Sequence, residues 1–178
     1  VATTKAYSAQ LAAMYCLAVQ FAKVRGKITD EQYSYYISEL QTIPEKIQKI
    51  LEDKERIQWF ASKYANAHDI FFIGRGIDYA ISMEGSLKMK EISYIHSEAY
   101  AAGELKHGTI SLVEDGTLVI GVMIEDTADF SVYVPKTEKY FTTSLAIVPL
   151  QLMGYYVSVA KGLDVDKPRN LAKSVTVE

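Results

Sequence analysis

The sequence holds one cysteine, Cys16, together with four prolines and one tryptophan in 178 residues. A single cysteine excludes an internal disulfide framework. With no signal-peptide pattern at the start, the expected home is a reducing cytoplasm. Excess positive charge is also lacking, since 19 Lys and Arg stand against 22 Asp and Glu, for a net charge of −3. A general nucleic-acid binder would carry a basic patch or stripe, so no nucleic-acid partner is expected. The three histidines form no HxxxH pair and lie far from Cys16, so neither a metal site nor a cofactor is expected. Internal repeats and low-complexity segments are missing too.

What is present is 49% hydrophobic and 23% charged residues, the balance of a globular chain long enough for one sizeable core. From Tyr140 to Ala160 no residue is charged, which is long enough to span a bilayer. Thr142, Thr143, Ser144, Gln151 and Ser158 interrupt that run, Pro149 sits inside it, and no basic cluster precedes it. A helix buried on most sides of a core fits better, and no membrane partner is expected.

The first third reads helical. Thr3 or Thr4 can cap a helix to Arg25 with Leu11, Tyr15, Ala18 and Ala22 on one face, closed by Gly26. Thr29 and Asp30 start a second helix to Leu51, which Pro44 is expected to divide. A third, from Lys54 to about Ala65, places Ile57, Phe60, Ala61 and Tyr64 on one face. The period then changes. Asp69–Gly74 is a short apolar run ending at glycine, the form of a buried parallel strand. Gly74-Arg75-Gly76 turns the chain into a helix from Ile77 to about Tyr94. Thr117–Ile124 and Phe130–Val134 read as further strands, and a tail follows from Lys161. Strands alternating with helices indicate an α/β layered fold. The last two strands are separated by Glu125–Asp129 alone, whereas parallel neighbours need a crossover of about a dozen residues. The spacing therefore predicts either a hairpin or, preferably, a missing segment near 125–130.

On a helical wheel Ile81, Gly85, Met89 and Ile92 form an apolar stripe, with Glu84, Lys88 and Glu91 along one edge. The pattern alone favours a Glu84–Lys88 surface pair worth a few tenths of a kcal/mol. The alternative is a partly desolvated group suited to proton transfer. His68 precedes a strand as a loop residue, while His96 and His107 flank the small-residue segment Ser97–Gly108. His107 is either a proton carrier or a solvated residue. Gly74-Arg75-Gly76 lacks the spacing of a dinucleotide or Walker loop, so a tight turn is its plain reading and a phosphate cradle the other. Pro168 suggests that the tail docks, and a docked tail could deliver Lys173 to a pocket as an imine-forming nucleophile.

Three blocks are more specific. Gly74-Arg-Gly76, Glu84-Gly-Ser-Leu-Lys-Met-Lys-Glu-Ile-Ser-Tyr-Ile-His-Ser-Glu-Ala-Tyr-Ala-Ala-Gly-Glu-Leu-Lys-His-Gly108 and Asp166-Lys-Pro-Arg-Asn-Leu-Ala-Lys-Ser-Val-Thr-Val-Glu178 resemble the glucosamine-6-phosphate synthase family. These are the glutamine–fructose-6-phosphate aminotransferases (isomerizing). The first block also occurs, more loosely, in other sugar-isomerase (SIS) domains, whereas the closing run is characteristic of the synthases. Val1-Ala-Thr-Thr-Lys-Ala-Tyr7 looks like the entry into the second SIS half, so the resemblance covers essentially the whole chain.

The resemblance implies a flavodoxin-like α/β SIS subdomain over 1–161, its parallel sheet flanked by helices, with a C-terminal catalytic tail over 162–178. It implies part of an enzyme that makes glucosamine 6-phosphate from fructose 6-phosphate and glutamine-derived ammonia, the first step of amino-sugar synthesis. Glu91 matches the base that moves a proton between C1 and C2, and Lys173 the lysine that forms an imine with the open-chain sugar. His107 matches the ring-opening histidine, which reaches the neighbouring subunit's site, and Lys88 a lysine beside the base. Val1, Thr3 and Ala172 match positions lining the sugar pocket. Arg169 lies in the tail that packs between isomerase and glutaminase. The implied partners are a glutaminase domain and a first SIS half of the same enzyme, within a homodimer. Those parts would supply the phosphate grip and ammonia, so the 178 residues alone are expected to be inactive. A related SIS isomerase or deglycase, or a non-enzymatic sugar-phosphate-binding regulator, are the alternative readings.

Overall fold

The computed structural model describes residues 3–122 and 128–169. Three helices come first, α1 (Lys5–Val24), α2 (Asp30–Glu52) and α3 (Lys54–Lys63). Strand β1 (Asp69–Gly74), helix α4 (Ile77–Ser93), strands β2 (His96–Ala101) and β3 (Leu118–Gly121), and helix α5 (Thr142–Ala160) follow. The sheet is parallel, in the order β2-β1-β3.

Several expectations change on contact with the fold. Thr4 occupies the N-cap of α1 with helical backbone angles and no side-chain cap bond. The buried side of α1 runs through Leu11, Tyr15, Val19 and Ala22, leaving Ala18 exposed. Thr29 caps α2 as expected, in a reciprocal box with Gln32 at 3.1 and 2.9 Å. Pro44 does not divide that helix. A proline inside a helix costs about 3 kcal/mol, but Ile43 and Ile50 are buried on either side of it. Each such side chain contributes about 1.5–3 kcal/mol on burial, enough to hold both halves in line.

Strand β2 falls where the sequence shows only small and polar residues. Its alternation explains the pairing: Ser97 and Ala99 face α4, while Glu98 and Tyr100 face the other side with Phe71. Ser86 of α4 and Ser97 clasp each other, each hydroxyl donating to the other's carbonyl at 2.9 Å. Phe130–Val134 forms no strand. Phe130 stacks on Phe60 of α3 at 4.2 Å, and the Arg56 guanidinium donates to the Ser131 carbonyl at 3.0 Å, so this stretch lies against α3. A link of five residues is too short to cross over into a parallel position.

Helix α5 is the uncharged run, and with the 3-10 turn before it is long and apolar enough to cross a membrane by length and hydropathy. Here it packs against α2, α3 and α4, burying Leu145, Ile147 and Val157 completely. Gly85 lets α4 approach this layer. A Cβ there would stand 2.8 Å from Leu150 and 3.1 Å from Phe72.

Candidate functional site

The stripe foreseen on α4 is buried throughout: Ile81, Gly85, Met89 and Ile92 face inward. Because the helix is pressed against α5 on that side, the flanking charges are drawn in with it. Lys88 is only 3% exposed. Its Nζ donates to Glu91 Oε2 and lies 3.6 Å from Glu84 Oε1. The surface-pair reading is thereby corrected, since one buried ammonium is shared by two largely buried carboxylates. Burial pushes the Glu84 carboxyl above its ordinary range, Lys88 opposes that shift, and the like charge of Glu91 adds to it. Tyr7 of α1 is raised as well, first by burial and then by the charge of Glu84. The start of α1, with exposed Thr3 one turn before Tyr7, therefore lies beside this cluster.

The tail begins at the same helix end. Lys161 Nζ donates to the Ser93 carbonyl at 2.8 Å. The Arg169 backbone N–H donates to the Tyr94 hydroxyl at 2.7 Å, and its guanidinium lies 4.2 Å from the centre of the Tyr94 ring. Pro168 is buried, as its place in the tail suggested. Val1, Ala172 and Lys173 lie outside the described residues. His107 is exposed on a 3-10 turn (Leu105–His107) that follows β2. Among the described residues no hydrogen bond or ion pair joins it to Glu91 or Lys88. The fold thus brings Glu84, Lys88, Glu91 and Arg169 to one helix and leaves His107 apart.

Gly74-Arg75-Gly76 behaves as a turn. A Cβ on Gly74 would lie 2.4 Å from the carbonyl carbon and oxygen of Asp78, and Gly76 has φ of +54° at the start of α4. A separate cleft of about 540 Å³ opens at the other face of the sheet, lined in part by His68, Asp69, Phe71, His96, Glu98 and Asp115. Within it His96 Nδ1 meets Asp69 Oδ1 at 2.6 Å. Sequence reasoning missed this pairing because it missed β2, whose register sets Asp69 opposite His96. Among the described residues no group of His, Cys, Asp and Glu could hold a metal ion.

Lys88→Met removes the shared cation while keeping the stem, and should cost about 3 kcal/mol at pH 7. That is the low end for breaking a buried pair, because both carboxylates keep some water. A carboxyl whose folded pKa is raised contributes stability that is full below its ordinary value of 4.5 and is lost as pH rises through the folded value. Lys88→Met takes away the charge that opposes this shift, so the loss should be smaller at pH 4 than at pH 7. Denaturant melts at the two pH values check it.

Residues 63–147 match the SIS domain. Over its whole length the chain is 49% identical to the glutamine–fructose-6-phosphate aminotransferase [isomerizing] of Caldanaerobacter subterraneus subsp. tengcongensis, and 48% identical to that of Clostridium tetani. It covers 35% of each, so it spans about a third of the length of these relatives. Both alignments run over 211 positions, 33 more than the chain has residues. Among solved structures, the C-terminal domain of glucosamine-fructose-6-phosphate aminotransferase from Francisella tularensis superposes with a TM-score of 0.87 at 31% identity. That match covers 94% of this chain and 57% of the other.

Proposed function

We propose that this chain, whose residues 63–147 match the SIS domain, is the second SIS half, with tail, of a glutamine–fructose-6-phosphate aminotransferase. The observation that carries the reading is the placement of Glu91, held by buried Lys88, on the helix whose end also receives the tail. In that reading the Lys173 amine condenses with the C2 carbonyl of open-chain fructose 6-phosphate, releasing water. The imine draws electrons from the C1–H bond, so the C1 proton becomes acidic. Ammonia displaces the lysine amine from the C2 imine while that C=N bond is still present, and the Glu91 carboxylate then takes the C1 proton of the resulting imine and returns it at C2, leaving glucosamine 6-phosphate. Lys88 orients Glu91 through the hydrogen bond it donates to Oε2.

His107, exposed and apart from Glu91, fits a role in opening the ring at a neighbouring subunit's site within a cytoplasmic homodimer. Val1, Thr3 and Ala172 would line the sugar pocket. The 33 extra aligned positions in the relatives are long enough for a crossover helix and strand, which this reading places between Ile124 and Phe130. The glutaminase domain and first SIS half would supply ammonia and the phosphate grip.

The full-length protein containing this chain should form glucosamine 6-phosphate from fructose 6-phosphate and glutamine, and the 178 residues alone should form none. Borohydride added during turnover should fix the sugar on Lys173, located by peptide mass. Absence of product from the full-length protein, or product from the isolated chain, would overturn the reading.

A further inference from the structure

Tyr94 is the one non-glycine residue with positive φ among those described, at φ 59° and ψ 18° just beyond α4. A left-handed conformation costs an ordinary side chain about 1–2 kcal/mol relative to glycine. The helix end would therefore be cheaper with glycine or asparagine, which close helices in this conformation without that strain. Backbone geometry does not account for a tyrosine here, so its side chain must.

Among the described residues, its hydrogen bond and its cation–ring contact are both with Arg169. The phenol oxygen accepts the Arg169 N–H at 2.7 Å, and the ring lies under the Arg169 guanidinium at 4.2 Å. The segment it fastens is organised in advance. Asp164 Oδ1 accepts the backbone N–H groups of Asp166 and Lys167 at 3.0 and 3.2 Å, and Pro168 is buried. Lys161, at the start of the same segment, is tied to the Ser93 carbonyl. The nine residues from Lys161 to Arg169 are thus pinned at both ends to the adjacent positions 93 and 94.

We propose that Tyr94 is a positioning residue whose phenol ties the tail at Arg169 to the end of α4 and so sets the reach of Lys173 toward Glu91. The proposal rests on the functional reading above for the role of Lys173. Lys173 follows Arg169 by four residues, at most about 14 Å of extended chain, so holding Arg169 at Tyr94 bounds how far the Lys173 backbone can lie from the end of α4. The residue that holds Arg169, Tyr94, follows Glu91 by three positions and caps the helix that carries Glu91. Without the tie, the same lysine searches the volume of a free chain end, and its effective concentration at the sugar falls.

The test uses Tyr94→Phe and Tyr94→Asn in the full-length protein. Tyr94→Phe keeps the ring and loses the acceptor, an effect of about fivefold for one hydrogen bond. Tyr94→Asn relieves the backbone strain and loses both contacts, so the melting temperature should hold or rise while the tie fails. Two readouts follow each variant. Trypsin cleavage after Arg169 and Lys173, without sugar, should be about fivefold faster in Tyr94→Phe and more than tenfold faster in Tyr94→Asn. Borohydride trapping of fructose 6-phosphate on Lys173, and kcat with it, should fall by similar factors, with KM for the sugar within about twofold. A merely structural tyrosine would lower the melting temperature in Tyr94→Asn and leave the trapping unchanged per folded molecule.

Wild-type cleavage and trapping rates in both variants would overturn the proposal. No Lys173 adduct in the wild-type protein would overturn the functional reading instead, and the cleavage rates would still decide whether Tyr94 holds the tail.

Discussion

In the full-length protein, Glu91→Gln should lower turnover of fructose 6-phosphate by about 10²–10⁴-fold, the range for losing a positioned general base. The amide keeps the volume and can still accept a hydrogen bond from Lys88, so the melting temperature should fall little. KM for the sugar should stay within a few-fold, because the base acts on a proton and not on the phosphate. The sharper check is isotopic. In heavy water, wild-type product should carry deuterium at C2 to the extent that the Glu91 proton exchanges with solvent. Glu91→Gln should slow that transfer with the overall rate. Equal turnover in the variant would remove Glu91 from the chemistry and leave Glu84, the other carboxylate on Lys88, to be tested next.

The second large effect is on folding. Gly74→Ala would set a Cβ 2.4 Å from the Asp78 carbonyl, inside the first turn of α4. The obstacle is backbone, so no side chain can swing aside, and the helix must move off the strand that it follows. A cost of about 3 kcal/mol is expected, near the upper end for overpacking. For a domain of this size that lowers the melting temperature by about 6–12 °C. Gly103→Ala is the control, since a Cβ there meets nothing within 4 Å. It should shift the melting temperature by no more than about 2 °C, corresponding to a surface substitution. Melting curves of the two variants in parallel decide the matter.

What could be read in the residues was what a strong period announces. Asp69–Gly74 was bounded to the residue, and α4 to within one, because a continuous apolar run and a long 3.6-residue stripe leave few alternatives. The edge strand β2 was illegible for the opposite reason. It takes its place through backbone pairing with β1 and through two serines whose partners lie 11 residues away, and neither leaves an apolar signature. Phe130–Val134 misled because β-prone residues look alike whether they join a ladder or lean on a helix, and here the stacking of Phe130 on Phe60 decided.

The candidate site was legible as a spacing and not as a state. Glu84, Lys88 and Glu91 were seen to share an edge, yet the burial of Lys88 depends on how closely α5 lies against it. That distance is set by residues some 60 positions later, where a Cβ on Gly154 would reach the Lys88 backbone at 3.8 Å. Tyr94 gave no signal in the sequence, since a left-handed tyrosine is visible only in dihedral angles. The sequence resemblance supplied roles for Lys173 and His107 that neither periodicity nor charge could assign.

The position of α5 bears on how the chain is made. This helix is the late-synthesised wall against which α2, α3 and α4 all bury their apolar faces. About 100 residues separate the end of α3 from the end of α5, and ribosomes add about 5–20 residues per second. For roughly 5–20 s of each round of synthesis, Ile43, Ile50 and Ile57 therefore lack the cover of α5. The nascent chain is open to chaperones and to wrong associations over that interval, and it closes only after its most apolar segment has left the exit tunnel.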